Sequence, residues 1–283
     1  MKYKRKTKRA RMLSSKSKKY SFRGGNNELV KIEHFTERKN KDGLKEVSGV
    51  PLVIYTTWHS DMIPPKMAEC VNNLIKMNPE FDHYMYTKDQ CAKFIEDNFD
   101  KEVLDAYYTL KPLSYKSDLW RFCVLYKNGG VYLDIKFSST VPLFHFIKEN
   151  SGFFVKDLDG NCPAIDNKGK YGTLTGFIVS KVNNQVFKYC IDEIVENCKM
   201  KLYKNNSLDV TGPCLLERNR VRVFPDYEFK FIFKAKDYIG YIYYNDEIIL
   251  RYYNEYKSEL YKYREDRKYS HYTQAWNAKN IFN

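Results

Sequence analysis

One junction constrains the fold more than any other feature. Tyr115, Leu119, Phe122, Cys123 and Tyr126 recur at the i, i+4, i+7, i+8, i+11 spacing of a single helix face. The period ends at Gly129-Gly130, where a left-handed cap needs a residue without a Cβ. Val131-Tyr132-Leu133 follows with no linker, a short apolar run of β-formers closed by Asp134. A helix that feeds through two glycines directly into a buried strand belongs to an α/β layer. The sequence predicts a helix over 114–127 and a buried strand over 131–133.

The same alternation runs upstream. Val53-Ile54-Tyr55 reads as a buried first strand. Residues 66–77 carry Met67, Cys70, Val71, Leu74 and Ile75 at helical spacing, and Pro79 ends them. Tyr84-Met85-Tyr86 reads as a second strand, Thr87 can cap a helix over 88–98, and a further helix covers about 101–109. Downstream, strand-like pieces at 153–155, 174–180, 221–224, 229–234 and 239–250 accompany an amphipathic helix over 184–203. The Tyr-rich stretch 238–263 reads as sheet and helix packing, with an aromatic platform for an acceptor as the alternative. The expectation is an α/β sheet flanked by helices over residues 49–283, preceded by a basic, disordered tail and linker over 1–48.

The charge supports that division. The 283-residue chain carries a net charge of +13, but residues 1–23 hold eleven Lys and Arg and no acid. The remainder has 37 basic and 35 acidic residues, so the high isoelectric point belongs to the tail. Three readings of the tail stay open: a solvated extension, a polybasic contact to nucleic acid or an anionic membrane surface, and a nuclear address. The seven cysteines form no CxxC pair and sit in apolar segments, so free thiols in a reducing compartment are expected. No apolar run approaches the ~20 residues that span a bilayer. No apolar region follows the basic N-terminus as a signal peptide requires, so a soluble, cytoplasmic protein is expected.

Asp118 and Arg121 stand three apart on the helix, beside its apolar stripe, and are neighbours on one face. Asp134 closes a strand at its carboxyl end, where open α/β sheets bind ligands. Transfer of a glycosyl group from a nucleotide donor leaves a diphosphate whose growing charge must be stabilised, usually by a hard divalent cation between carboxylate and phosphate oxygens. Sugar hydroxyls need donors and acceptors, which Asp and Arg supply. Taken as isolated pairs, these residues read as a surface ion pair and a turn aspartate; their order and spacing together are more specific.

Lys116-Ser117-Asp118, Arg121-Phe122, Leu125, Gly129-Gly130-Val131-Tyr132 and Asp134 resemble the pattern of the DXD-containing glycosyltransferase sugar-binding family. That family includes fungal initiating α-1,6-mannosyltransferases and capsular polysaccharide enzymes. The likeness extends from the Pro51–Trp58 strand through Asn78-Pro79 and Thr211-Gly212-Pro213 to His271 and Trp276. It implies a GT-A fold, with a Rossmann-like sheet binding a nucleotide-sugar. It also implies transfer of a hexose from a GDP- or UDP-linked donor to a hydroxyl of a glycan, lipid or protein, with retention of configuration. Carried over, Asp118 and Arg121 hold the donor sugar, Asp134 contacts ribose or sugar and helps bind Mn²⁺ or Mg²⁺, and Trp58 lies at the base. Tyr132, Lys136 and Gly212 complete the donor site, and His271 is a metal or diphosphate contact.

One position departs. Where the family has its second DXD aspartate, this chain has Lys136. On a strand, residues i and i+2 point the same way, so Lys136 would project beside Asp134; if the strand ended early it would leave the site. Three consequences stay open: the ammonium does part of the metal's work, a metal binds through Asp134 with His271 or Asp266, or the chain is a non-catalytic relative. A second D-x-D spelling, Asp157 to Asp159, precedes Gly160-Asn161 and reads as a turn. A protein of another class, binding nucleic acid through the tail, is the competing reading.

Overall fold

The computed structural model describes residues 28–39, 43–163, 171–237, 239–263 and 271–283. The basic stretch 1–23 and Asp266 lie outside them, so every expectation about the tail does too.

Two sheets carry the architecture. The first has five strands in the order Phe177–Ser180, Gly130–Leu133, Val53–Thr57, Asp82–Tyr86 and Phe35–Thr36. Its three middle strands are parallel, in register through Tyr55 with Tyr84 and with Tyr132, and the two outer strands are antiparallel. This is the α/β layer expected from the helix–strand alternation, and it has the Rossmann-like character that the resemblance implies. The second sheet has six strands, in the order Tyr171–Thr173, Val155–Asp159, Phe231–Lys236, Ile239–Tyr244, Glu247–Tyr252 and Phe137–Ser139. One apolar core, around Tyr55, Trp120, Phe122, Ile178 and Phe187, lies between the first sheet and the helices Lys88–Asn98, Leu113–Asn128 and Gln185–Lys199. A second, around Leu133, Phe137, Phe153, Phe177 and Phe231, is shared by the two sheets.

The Leu113–Asn128 helix is the centre of the first core and is buried without interruption from Asp118 to Leu125. A helix enclosed on all sides must satisfy its polar residues internally, which sets up the site. Its two terminal glycines have different jobs. Gly129, at φ +64°, leaves the helix. Gly130, at φ +92°, lies so near the neighbouring strand that a Cβ there would stand 2.8 Å from the Val53 carbonyl oxygen. The Lys88–Asn98 helix starts on Thr87 in a full capping box, with Gln90 returning the bond to the Thr87 amide.

Elsewhere the structure corrects the sequence reading. Residues 221–224 are not a strand: Val221 to Val223 finish the Pro213–Val223 helix, started by Pro213 in its first turn. A four-residue β-rich run cannot separate the two periods. The linker reading of 24–48 fails where Val30–Lys31, Phe35–Thr36 and Glu46–Val47 pair as strands, segments too short to show alternation. Residues 174–180 divide into a turn at 174–176 and the strand Phe177–Ser180. The expectation of free thiols fails for one pair, since Cys162 and Cys214 form a disulfide, while the other five cysteines are free and buried. Asp157 is a buried strand residue rather than part of a turn, and Gly160 makes the turn.

Candidate active site

The chain crosses from one sheet to the other twice at one place. Gly130–Leu133 passes to Phe137–Ser139 through Asp134, Ile135 and Lys136, and Tyr171–Thr173 passes to Phe177–Ser180 through Leu174, Thr175 and Gly176. The crossings touch: the Asp134 amide donates to the Gly176 carbonyl at 2.8 Å. The Leu113–Asn128 helix braces both, because Arg121 Nη1 donates to the Thr175 carbonyl at 2.6 Å.

Four charged side chains meet there. Arg121 Nη2 is 3.3 Å from Asp118 Oδ1 and 3.6 Å from Asp134 Oδ1. Lys136 Nζ is 2.9 Å from Asp134 Oδ2. Tyr132 donates its hydroxyl to Asp134 Oδ1 at 2.8 Å and offers its ring face to the Arg121 guanidinium, 4.4 Å away. Thr211 donates to Asp118 Oδ2 at 2.7 Å, and Gly212, where a Cβ would stand 3.6 Å from the same oxygen, ends its loop at the Pro213–Val223 helix. The isolated surface pair is excluded, since Asp118 and Arg121 are both buried.

The burial separates the two carboxylates chemically. Asp118 is pushed up to about 6 by desolvation, which Arg121 and Thr211 only partly offset. Burial acts the same way on Asp134, but the Lys136 ammonium and then the Arg121 guanidinium outweigh it and hold that carboxyl well below the usual range. Burial disfavours the Lys136 ammonium, yet the Asp134 carboxylate keeps it well above its ordinary value.

Arg121, Tyr132, Asp134 and Lys136 form the floor of a cavity of about 580 Å³. Thr57 and Trp58, Lys88, and Asp134 to Lys136 line it, each from the carboxyl end of one of the three parallel strands. Of the residues expected at a donor site, the cavity brings together Trp58, Arg121, Tyr132, Asp134, Lys136 and His271. Asp118 and Gly212 stand behind this wall, so Asp118 acts on the cavity through Arg121. Among the described lining residues, five cationic side chains (Lys88, Lys116, Arg121, Lys136 and Lys257) face two carboxylates, Asp134 and Glu259. Glu259 accepts the amides of Lys66 and Met67 at the start of the Pro65–Met77 helix and the Tyr253 hydroxyl. The lining is therefore suited to an anion.

Among the described residues the donor set does not fit a divalent metal. Both Asp134 oxygens are engaged, one by Lys136 and one by Tyr132. His271 lines the cavity but its Nδ1 accepts the Thr273 amide as a helix cap. Among the described residues no three His, Cys, Asp or Glu side chains converge as metal ligands.

Residues not singled out from the sequence also matter. Thr175 and Gly176 shape the floor, and the rings of Tyr252 and Tyr256 lie 4.9 and 5.9 Å from the Lys136 ammonium. Tyr256, Tyr261 and Tyr263, from the stretch read as packing, line the cavity. A lone glycine before a strand was the available signal for Gly176; for the tyrosines it was the aromatic density of 238–263, the basis of the alternative reading of that stretch. Among the described residues no helix is long and apolar enough to cross a membrane.

Residues 64–152 match the family described as "Glycosyltransferase sugar-binding region containing DXD motif". An uncharacterized glycosyltransferase of Acanthamoeba polyphaga mimivirus is 29% identical over 166 residues, covering 58% of this chain and 60% of that protein. Inositol phosphoceramide mannosyltransferase 3 of Schizosaccharomyces pombe is 27% identical over 35% of this chain and 28% of its own length. The initiation-specific alpha-1,6-mannosyltransferase of Candida albicans is 26% identical over 37% of this chain and 29% of its own. The match thus spans less than two thirds of each of these relatives. The matched stretch, residues 64–152, contains Arg121, Asp134 and Lys136 of the cavity floor, and over it the chain is similar to the DXD-containing glycosyltransferase sugar-binding family.

Proposed function

We propose that the protein is a glycosyltransferase that moves a hexose from a GDP- or UDP-linked donor to a hydroxyl of a glycan, lipid or protein, with retention of configuration. The observation that carries the reading is the group formed by buried Asp118 and Arg121 with half-buried Asp134 and Lys136, under a cation-rich cavity at the carboxyl ends of parallel strands. In this reading the nucleotide base lies toward Trp58, whose aromatic face can stack on it. The Arg121 guanidinium and the Asp134 carboxylate hold sugar hydroxyls. Asp118, one layer behind, orients Arg121 and is a positioning residue. The diphosphate leaving group lies toward Lys136, where its developing charge meets a fixed ammonium. The acceptor enters past the exposed Tyr261.

Nucleotide release from a panel of UDP- and GDP-sugars, with and without simple sugar acceptors, tests this. One donor should turn over in the wild type and lose at least a hundredfold in kcat/KM with Asp134→Ala. Binding of neither UDP nor GDP by calorimetry would remove the transferase reading.

A further inference from the structure

The quartet formed by three side chains of the cavity floor and Asp118 behind them has a charge balance that bears on how a diphosphate is held. Asp118 and Asp134 contribute two negative charges, and Arg121 and Lys136 two positive ones. In the D-x-D pattern that the sequence resembles, position 136 is an aspartate. The same four positions would then sum to two negative charges, an arrangement that a buried site tolerates only with a counter-ion. Replacing that aspartate by Lys136 changes the sum by two, the charge of a divalent cation. The geometry agrees with the arithmetic. The ammonium lies 2.9 Å from Asp134 Oδ2, against the carboxylate that a metal would need. It faces the cavity and is flanked by the rings of Tyr252 and Tyr256, whose faces favour a cation. The remaining Asp134 oxygen already accepts from Tyr132.

We propose that Lys136 is a built-in cation in place of the divalent metal, so that the donor's diphosphate binds without metal. The inference rests on the nucleotide-sugar reading above. Lys136 is a compact point charge and can meet a phosphate oxygen while keeping its contact with Asp134. Its position is set by the crossing between the sheets: Tyr253, just after the Glu247–Tyr252 strand, donates its amide to the Lys136 carbonyl at 3.1 Å, which fixes the turn from the second sheet.

Calorimetry with UDP and GDP on the full chain, in EDTA and in Mn²⁺, tests the proposal, alongside Mn²⁺ titration followed by electron paramagnetic resonance. Whichever nucleotide binds the wild type should do so with Kd values within about twofold in the two buffers, and the protein alone should leave the Mn²⁺ signal unchanged. Lys136→Met should weaken binding by roughly tenfold or more, the loss of one charge-assisted bond. Lys136→Asp should bind neither nucleotide in EDTA, recover binding in Mn²⁺ and quench the Mn²⁺ signal. Wild-type binding that requires Mn²⁺ overturns the proposal and leaves the transferase reading standing, as does a folded Lys136→Met that binds in EDTA like the wild type. Failure of the wild type to bind either nucleotide in both buffers overturns the transferase reading and the proposal with it. Melting curves verify folding of each variant, and the wild-type comparison decides the matter even where a variant does not fold.

Discussion

Gly176→Ala tests whether the two sheet crossings act as one unit. Gly176 does not use the left-handed backbone region, so alanine suits its backbone and the substitution is purely a question of space. A Cβ at this position would lie 2.9 Å from Asp134 Oδ2 and 3.3 Å from both Asp134 Cγ and the Phe137 ring. Ordinary contact begins near 3.4 Å. The carboxylate would have to retreat by roughly half an ångström, and it has little freedom because Lys136 holds one oxygen and Tyr132 the other. Weakening a charged hydrogen bond costs about 1.5–3 kcal/mol. The stiffer unfolded chain offsets about 0.4–1 kcal/mol of this. A net destabilisation of about 1–2 kcal/mol is expected, read from urea unfolding of the wild type, each single variant and the double variant with Asp134→Ala. In the Asp134→Ala background the obstructing carboxylate is gone, and Gly176→Ala should be neutral or slightly stabilising. The contact with Phe137 is common to both backgrounds and cancels in the cycle. An equal cost of Gly176→Ala in both backgrounds would refute the claim that this glycine exists to make room for Asp134.

Three further outcomes follow from the same geometry. Asp118 has its folded-state pKa raised to about 6, so its proton is held more tightly in the folded state; stability from this group is fully present below pH 4 and is lost as pH rises through about 6. Asp118→Asn should remove that decline from midpoints measured over pH 4–6, and should remove an acid limb near pH 6 from turnover. Thr211→Val deletes the buried hydroxyl that donates to Asp118; it should cost about 1–3 kcal/mol in urea unfolding and move the acid limb above pH 6, while an unmoved limb would show that Thr211 does not tune Asp118. Gly130→Ala would force a positive φ on a residue with a Cβ and drive that atom against the Val53 carbonyl, so a loss of at least about 2 kcal/mol is expected; a denaturation midpoint shifted by less than half that amount would contradict the close approach of the two strands.

Much of the first sheet was legible in the sequence because its signals are local. The Leu113–Asn128 helix needed only its apolar period and Gly129, and the Lys88–Asn98 helix only Thr87 and Gln90. The second sheet was less legible. Its strands include pieces as short as Phe137–Ser139, and period 2 and period 3.6 cannot be separated over three or four residues, which is also why Val221 to Val223 was misread. The site divides along the same line. Asp118, Arg121 and Asp134 share one helix–strand unit, whereas Thr175 reaches Arg121, Thr211 reaches Asp118, and Tyr252 and Tyr256 reach Lys136 from distant segments through contacts that no local pattern encodes.

Lys136 shows how a sequence argument can reach the right contact for an incomplete reason. Alternation along a strand was the basis for expecting it beside Asp134, but the strand ends at Leu133 and residues 135–136 form a turn. The ammonium meets the carboxylate all the same, because the turn folds back and the second sheet holds its carbonyl. Electrostatics explains why this contact survives a change of local geometry. With Asp118 and Arg121 buried and Asp134 half-buried beside them, the three are left with a net negative charge that the fold must compensate, and an ammonium two residues from Asp134 supplies the cation. A two-charge difference at a solvent-exposed position would be nearly silent. At the floor of this cavity it alters what the site can hold, which is why the one departure from the family pattern is the most informative residue in the chain.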